Sequence, residues 1–417
     1  MRKLLILPLF FIPVMMEAQN TRYDLRMDTV TYQYYLKGDW NKLIDTTKQA
    51  IQEKIDFKYL RQRLGYAYFV TGNYYASQAQ YEKAFAFDKT DPDTRTYLYY
   101  CGLYTGNEVN KRYWSGLLSN EMKKSYTIKP FKIINSIDFE YNYKSNDNST
   151  RGNPVYMRGG VSTELGYRLN LYQSFSTYSQ TNGSSYVNTT GTVPVQTKDS
   201  SIINQNEYFA LLSWTISPHL ILNAGYHTLN SKIHIINKYS YRINAKQFNI
   251  LNDTTENSPG NMFCSKLTYT VNRFDFGVSG SVYMNDTIVS QQYGVHAGVL
   301  LPGSLNAYLK SSLYAMLDTK NNNRLIFTQS AGALFFKKLW VEGDITFGNL
   351  NNYSDNNGMY IYNSVDPTTF RTGLTLFWNV IPKLSVYGNY TYDTKLIEDK
   401  NISYNQHSFS GGIIWKL

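Results

Sequence analysis

The sequence is poor in cysteine, in charge and in long apolar runs, and each shortage excludes a class of protein. Only two cysteines, Cys101 and Cys264, occur in 417 residues, so neither a disulfide framework nor a cysteine-rich metal site is predicted. Charged residues make up 17%, and the net charge of +10 is spread without a long basic run, which argues against nucleic-acid binding. Beyond the amino end there is no run of about 18 apolar residues, so no helical membrane span is predicted.

The amino end has the pattern of an export signal. Arg2 and Lys3 form a charged region, and the apolar run from Leu4 to Met16 is too short to cross a bilayer. We therefore predict a signal peptide over residues 1–18. The alternative is a retained anchor helix.

Tyrosine is abundant, with 39 residues. Many tyrosines combined with little charge suit a sheet that meets lipid at its interfaces, because tyrosine has an apolar body and a polar tip. A soluble all-β protein rich in tyrosine is the alternative interpretation.

An internal period marks the part of the chain before residue 125. Glycine recurs every 34 residues, at Gly38, Gly72 and Gly106. Such a period is typical of stacked helical pairs, in which glycine occupies the turn and small residues let two helices approach closely. The positions expected to pack these pairs are Gly38, Trp40, Gly65, Gly72, Tyr74, Ala84 and Gly106.

The middle copy of this period resembles the tetratricopeptide repeat. It carries Leu64-Gly65, Ala67-Tyr68, Gly72, Tyr74, Tyr81 and Ala84. The resemblance implies a helical domain over residues 19–125 that docks a partner protein. The alternative is a unit that serves only as a structural base or plug for the rest of the chain.

From Phe131 onward the helical period gives way to apolar–polar alternation, interrupted by clusters of Asn, Gly, Asp and Ser. We predict about fourteen strands, near 131–144, 155–166, 167–180, 205–217, 219–230, 261–271, 273–284, 287–300, 304–317, 324–336, 338–350, 367–380, 383–395 and 402–417. Short turns alternate with longer connections, as in outer-membrane barrels. The longer connections are predicted as loops over 145–154, 181–204, 231–260, 351–366 and 396–401.

The carboxyl end resembles the terminal signal of bacterial outer-membrane barrels. Polar Ser410 is followed by Gly412, by Trp415 and by the apolar last residue Leu417, although Phe is commoner at that last position. Alternation puts Phe409, Trp415 and Leu417 on one face, as in a strand between lipid and a wet lumen.

These patterns together predict a two-domain α+β fold. A helical repeat domain over 19–125 precedes an antiparallel transmembrane β-barrel over 130–417. We expect residence in the outer membrane of a Gram-negative-type bacterium, with the amino-terminal domain in the periplasm and lipid around the barrel.

The four tryptophans of the predicted barrel lie close to its periplasmic turns or to its carboxyl end. They are Trp214, Trp340, Trp378 and Trp415. Since tryptophan is enriched where membrane meets water, an aromatic girdle at one interface is predicted.

The charged residues of the predicted strands share the face opposite to the apolar one. A charge facing lipid near the bilayer midplane would cost about 2–4 kcal/mol, so these residues are expected to line the lumen. The candidates are Arg158, Glu164, Arg168, Lys266, Arg273, Asp275, His296, Lys310, Glu342 and Asp344. Two arrangements stay open: an aqueous pore lined by the charges, or charges that pair across the lumen and fill it.

Two histidines raise the question of catalysis. His407 shares the predicted lipid face with Phe409 while Ser408 points inward, so the adjacent His and Ser are not arranged as base and nucleophile. His296 faces inward without an identifiable serine, cysteine or carboxylate partner beside it. We predict no enzyme, no cofactor and no metal site, and a lipid-modifying enzyme is the least favoured hypothesis.

In plan, the chain resembles the exporters of bacterial exopolysaccharides, the cellulose and poly-N-acetylglucosamine porins, which place tetratricopeptide repeats before a barrel. The resemblance implies a pore, transport or export component with a periplasmic protein as partner and a polysaccharide or small solute as cargo. The alternative is a non-conducting outer-membrane anchor or assembly component, whose loops 181–204 and 231–260 form a surface-binding site.

Overall fold

The computed structural model of the chain describes residues 25–125, 128, 131–188, 194–243, 246–301, 305–319, 323–336, 338–398 and 401–417. The predicted signal peptide lies outside these residues. The chain divides into two compact units, Met1–Pro130 and Phe131–Leu417.

The first unit is helical throughout its regular structure. Its helices are α1 at 25–37, α2 at Trp40–Gln52, α3 at Lys58–Val70, α4 at Tyr74–Phe87, α5 at Pro92–Tyr104, α6 at Glu108–Leu117 and α7 at Asn120–Ser125. In the described ranges, none of these helices has the length and apolar character needed to cross a membrane.

The 34-residue period corresponds to the turns inside three helical pairs. Gly38, Gly72 and Gly106 have φ angles of 68°, 79° and 68°, in the left-handed region that glycine enters without a steric penalty. The residue after each glycine caps the next helix, since the side chains of Asp39, Asn73 and Asn107 accept hydrogen bonds from backbone nitrogens three residues later. The repeated motif therefore both ends one helix and starts the next.

The small residues of the period lie where helices touch. A Cβ atom at Gly65 would come within 2.8 Å of the Tyr81 ring, and Ala84 is fully buried. Trp40 packs edge-on against Tyr66, while Tyr74 stacks on Tyr104. The largest buried cluster joins the second and third pairs through Tyr81, Leu98, Tyr99, Trp114 and Leu118.

The second unit is a closed antiparallel barrel of fourteen strands. The strands before the last long connection are β1 at Ile134–Asn146, β2 at Val155–Gly166, β3 at Leu169–Asn188, β4 at Val195–Ser217, β5 at Leu220–Ile243, β6 at Lys246–Val271, β7 at Phe274–Asn285, β8 at Val289–Leu300, β9 at Tyr308–Asp318, β10 at Arg324–Phe335 and β11 at Leu339–Phe347. Two short strands follow, β12 at Ser354–Asp355 and β13 at Tyr360–Ile361. They pair only with each other.

The barrel is completed by β14 at Thr368–Ile381, β15 at Leu384–Ile397 and β16 at Ile402–Lys416. The carboxyl-terminal strand β16 pairs with β1 from Ser136↔Lys416 to Asn146↔Gln406 and so closes the sheet. The predicted two-domain α+β class and the fourteen barrel strands are confirmed.

Two of the predicted loops are wrong, because they are strands. Residues 181–188 and 195–204 continue β3 and β4, and residues 231–243 and 246–260 continue β5 and β6. Strands β3 to β6 have 20, 23, 24 and 26 residues, against 9 in β11 and 15 in β16. Backbone pairing between neighbouring strands makes sheet from Asn-, Ser- and Thr-rich sequence that composition alone marks as loop.

The outer surface of the barrel is apolar at alternate strand positions. On β7, Phe274, Phe276 and Val278 are 49%, 48% and 56% exposed, while Asp275 and Ser279 occupy the opposite face. Alternation of this kind continues on β9 and β16. The barrel therefore presents a hydrophobic exterior and a polar interior.

Candidate functional site in the barrel lumen

The connection between β11 and β14 folds into the barrel interior. We call residues 348–367 the lumen segment. It contains β12, a 3-10 turn at Asn356–Gly358 and β13. Its aromatic side chains Tyr353, Tyr360 and Tyr362 are buried or half-buried, which an aromatic-rich connection achieves by packing against the barrel wall instead of facing water. This stretch is among the predicted loops, but its inward course is not a sequence prediction.

One end of the lumen segment is held by an ionic contact. The Asp366 carboxylate accepts hydrogen bonds from Arg151 Nε and Nη2 at 2.6 and 2.9 Å, and from the Tyr404 hydroxyl at 2.9 Å. Lys395 Nζ donates to the Asp366 backbone oxygen at 3.2 Å. A bidentate guanidinium–carboxylate pair fixes direction as well as distance, so this end is well anchored.

A second anchor lies further along the wall. The Tyr360 hydroxyl donates to Glu140 Oε2 at 2.9 Å, and the same oxygen accepts from Tyr387 and from Arg158 Nη2, each at 2.8 Å. Arg158 also pairs with Asp138 at 2.8 Å. Arg158 thus bridges two carboxylates of β1, one of which also holds the lumen segment through Tyr360.

The opposite wall binds the middle of the segment. Gln292 on β8 forms a reciprocal pair with Ser354, accepting from its backbone nitrogen at 2.9 Å and donating to its backbone oxygen at 3.0 Å. His227 Nδ1 lies 2.8 Å from the backbone oxygen of Gly358, and the Cys264 thiol donates to the Asn357 oxygen at 2.9 Å. The segment therefore crosses the lumen and is bonded on both sides.

Glycine makes the close approach at this wall possible. Gly358 has a φ of 88°, and a Cβ there would lie 2.6 Å from Met262 Cε and 2.7 Å from Cys264 Sγ. A side chain at this position would push the turn away from β6.

Beside the segment, a cavity of 960 Å³ remains in the lumen. Polar and tyrosine side chains from most strands line it. Of the predicted lumen residues, the structure puts Arg158, Lys266, Lys310, Glu342 and Asp344 on its lining. A volume of this size is in the range of about 300–1,000 Å³ found for small-molecule sites.

The other predicted lumen residues lie away from that cavity. Asp275 and His296 face inward on β7 and β8, with His296 Nε2 3.4 Å from Asp275 Oδ2. Glu164 on β2 accepts from the Lys132 backbone nitrogen. Arg168 and Arg273 occupy the turns before β3 and β7, outside the strands.

His296 has a carboxylate neighbour that sequence spacing did not reveal. Asp275 lies diagonally across the β7–β8 pair, because Gly277 and not Asp275 is the residue opposite His296. Ser312 is the register partner of His296 on β9.

His407 contacts Tyr390, with Nδ1 2.8 Å from the hydroxyl, and Ser408 faces the lumen. Within the part of the chain that the structure describes, no cluster of three His, Cys, Asp or Glu is arranged to hold a metal ion.

The predicted tryptophan girdle contains one departure. Trp214, Trp378 and Trp415 are 45%, 53% and 39% exposed on the outer face. Trp340 shares the inward parity of Glu342, donates to its carboxylate at 3.2 Å and stacks on Tyr308. Proximity to a turn groups the four tryptophans in the sequence, but strand parity turns the Trp340 side chain inward.

No protein-family model and no curated protein matches the chain. Among solved structures, it is similar to a bacterial polysaccharide outer membrane secretin at 8% identity, covering 68% of this chain and 99% of that one, with a TM-score of 0.40. It is also similar to the P. putida toluene transporter TodX, at 6% identity, 73% and 94% coverage and a TM-score of 0.44. For the helical part, the Yersinia enterocolitica type III secretion chaperone SycD matches 24% of this chain and 82% of its own length, at 16% identity and a TM-score of 0.22.

Proposed function

We propose that this chain is an outer-membrane β-barrel of the transport or export class, with a tetratricopeptide-like periplasmic unit that docks a partner protein. The observation that carries the proposal is the closed barrel with an apolar exterior and a polar cavity inside. A closed barrel satisfies all backbone hydrogen bonds between strands, which is what a β-structure needs to cross lipid. The role we propose is not enzymatic.

The exterior supports the membrane location. Large apolar side chains such as Phe276, Leu313 and Phe409 are 48%, 44% and 54% exposed around the barrel. In water, an apolar surface that continues around the whole wall would drive association, whereas in a bilayer it contacts acyl chains.

The lumen segment restricts the path that a solute could take through the barrel. It narrows the interior and is held by the Arg151–Asp366 and Tyr360–Glu140 contacts. A solute passes either through the space beside the segment or after the segment shifts. We therefore expect small, interrupted conductance from the wild-type protein and larger steps when the anchors are removed.

Planar-bilayer recording tests this expectation. Arg151→Gln combined with Asp366→Asn removes the ionic anchor without leaving an unpaired charge, and Arg242→Gln on the exposed end of β5 is the matched control. Stepwise conductance that increases only in the anchor variant is the expected result. A complete lack of steps from the wild type, from the anchor variant and from a chain with residues 351–366 replaced by a short Gly-Ser linker overturns the transport proposal.

A second candidate function has its own observation. The segment crosslinks opposite walls, and the extended strands β3 to β6 leave residues 246–259 paired on one side only, with β5. A filled barrel with a projecting sheet suits a non-conducting anchor or assembly component that presents a surface for binding. The bilayer recording separates the two, since this candidate requires that the linker variant alone conducts.

The docking role is supported by the aromatic surface of the helical unit. Tyr59 and Tyr104 are 56% and 55% exposed, and Tyr104 joins a ladder of rings through Phe69 and Tyr74. Exposed aromatic residues are enriched where proteins bind each other.

Photo-crosslinking from Tyr104 in the full chain in cells is expected to capture one periplasmic protein, and the same probe at Tyr186 on β3 is the control. Equal adducts at both positions, or none at Tyr104 and Tyr59, contradict docking.

A further inference from the structure

We infer that the lumen contains a binding site for a short acidic saccharide, on the wall formed by β15, β16 and β1. This inference rests on the proposed transport function for its purpose and names the class of solute. The site lies between the two anchors of the lumen segment, Asp366 on one side and Tyr360 on the other.

Register brings the site residues together. Asp393 on β15 is opposite Gln406 on β16, and Ser408 on β16 is opposite Lys144 on β1. Asn142 lies two positions before Lys144 on β1, so the two side chains share a face of the strand. All five side chains line the cavity.

Several of these groups are buried with unused hydrogen-bonding capacity. Gln406, Ser408 and Asp393 are 2%, 1% and 2% exposed. Among the described residues, nothing donates a hydrogen bond to Gln406 Oε1, Asp393 Oδ1 or Asn142 Oδ1, and Ser408 Oγ has no partner. Buried polar groups are nearly always satisfied, so a cluster of open acceptors indicates an occupant that supplies donors.

Two of these side chains are nevertheless partly fixed. Gln406 Nε2 donates to Asn146 Oδ1 at 2.5 Å, and Arg371 Nη1 lies 3.7 Å from Asp393 Oδ1, close enough for an ion pair but too far for a hydrogen bond. The open Gln406 oxygen is thus held in position by a neighbour that binds the other end of its amide group, and Asp393 is oriented by the nearby guanidinium of Arg371. Such preorganisation favours a specific ligand because less ordering is needed on binding.

One cation of this wall is available to an anionic ligand. Lys144 lines the cavity and has no carboxylate within ion-pair distance among the described residues. Charges of both signs surround it. Arg371 and Lys395 are cations, Asp393 lies near Arg371, and the carboxylates of Asp366, Asp138 and Glu140 are paired with Arg151 and Arg158. A carboxylate on the ligand would complete the unpaired ammonium group.

Aromatic rings from the lumen segment lie over the same region. Tyr360 and Tyr362 both line the cavity, and the Tyr360 ring is 6.3 Å from that of Tyr156. Open acceptors, a cation and aromatic faces together match a sugar acid: its hydroxyls donate, its carboxylate pairs with Lys144 and its C–H faces pack on tyrosine. An aliphatic or aromatic hydrocarbon would leave every open acceptor unsatisfied.

Calorimetric titration of the full-length protein in detergent micelles tests the site without requiring conduction. Trigalacturonate is the acidic probe, and maltotriose is the neutral probe of equal length. We expect trigalacturonate to bind at least tenfold more tightly than maltotriose, and to lose that advantage in Lys144→Gln. Ser408→Ala, which removes one open hydroxyl, is expected to weaken both sugars about three- to tenfold.

Ser279→Ala is the matched control, because Ser279 lines the same cavity on β7, seven strands from β16 in either direction around the barrel. If Ser408→Ala does not assemble, Gln406→Glu, which keeps size and replaces the amide by a charge, reports on the same site through a loss of trigalacturonate binding. Equal affinity for the two sugars, no binding of either, or equal effects of Ser408→Ala and Ser279→Ala overturns the inference. A conducting barrel without sugar binding refutes the site alone, while sugar binding in a barrel that never conducts refutes the transport role alone.

Discussion

The Tyr360 hydroxyl and the Glu140 carboxylate meet inside the barrel, 2.9 Å apart. Tyr360 belongs to the connection between β11 and β14, and Glu140 belongs to β1. Their hydrogen bond joins the lumen segment to β1, the strand that closes the barrel with β16. Removing this bond therefore tests how firmly the segment is held.

Replacing Tyr360 by phenylalanine should loosen the segment and expose Cys264. The Cys264 thiol donates to the Asn357 oxygen, so it is shielded while the segment is in place. Losing a hydrogen bond of about 0.5–1.5 kcal/mol should raise the rate of maleimide labelling at Cys264 about two- to tenfold.

The control for this measurement is Tyr293→Phe, a matched loss of a hydroxyl on the outer face. The second cysteine, Cys101, serves as an internal control for maleimide labelling. Cys101 is fully buried, and burial raises the pKa of its thiol to about 12, so it should stay unlabelled in every variant. Unchanged Cys264 labelling in Tyr360→Phe would show that this bond does not hold the segment.

Tryptophan fluorescence should separate Trp340 from the other three barrel tryptophans. In variants that keep one barrel tryptophan each, brominated lipids should quench Trp214, Trp378 and Trp415, because their rings are exposed on the outer face. Trp340, bonded to Glu342 inside, should be quenched several-fold less by lipid and remain accessible to aqueous iodide. Equal lipid quenching at all four would place Trp340 in the girdle after all.

Two glycines of the helical unit should differ in how they tolerate alanine. At Gly72 a Cβ meets nothing within 4 Å, so Gly72→Ala costs only the left-handed backbone, about 1–2 kcal/mol. At Gly65 a Cβ would lie 2.8 Å from the Tyr81 ring, so Gly65→Ala should cost more by displacing that ring from the core. Thermal loss of the helical circular-dichroism signal measures both. A larger loss from Gly72→Ala than from Gly65→Ala would contradict this order.

The helical unit should lose stability in acid through Asp88. Hydrogen bonds from Thr90 and Lys58 lower the pKa of Asp88 from 3.8 to about 2. Because the folded pKa is depressed, this contribution is complete above pH 4 and is lost as the pH falls toward 2. In Asp88→Asn, the melting temperature of the helical unit should therefore fall less between pH 4 and pH 2 than in the wild type. Asp45→Asn, at an exposed position of α2, should leave this pH dependence unchanged.

Local pattern predicted the architecture because each element carries its own signal. The positive φ of Gly38, Gly72 and Gly106 is a local requirement, so a glycine period identifies the helical turns. Alternation similarly identifies strands such as β7 and β9, where large apolar residues at every second position face outward.

The lumen was harder to predict because its contacts are not local. Nothing near residue 296 indicates Asp275, which reaches His296 only through the register of two strands. The same holds for Arg151 and Asp366, which are 215 residues apart in the chain and meet only in the folded barrel. The one sequence signal for an inward course is the aromatic content of the lumen segment, with Tyr353, Tyr360 and Tyr362 in a connection that would otherwise face water.

The lumen segment also imposes an order on folding. Tyr360 is 220 residues from Glu140, and Asp366 is 215 residues from Arg151. The pairing of β1 with β16, which closes the barrel, joins residues that are still further apart, from Ser136 and Lys416 to Asn146 and Gln406. Contacts between such distant residues form late, because the loop entropy must be overcome first. The anchors of the lumen segment therefore belong, together with the strand pairing that shuts the barrel, to the contacts that we expect to form last.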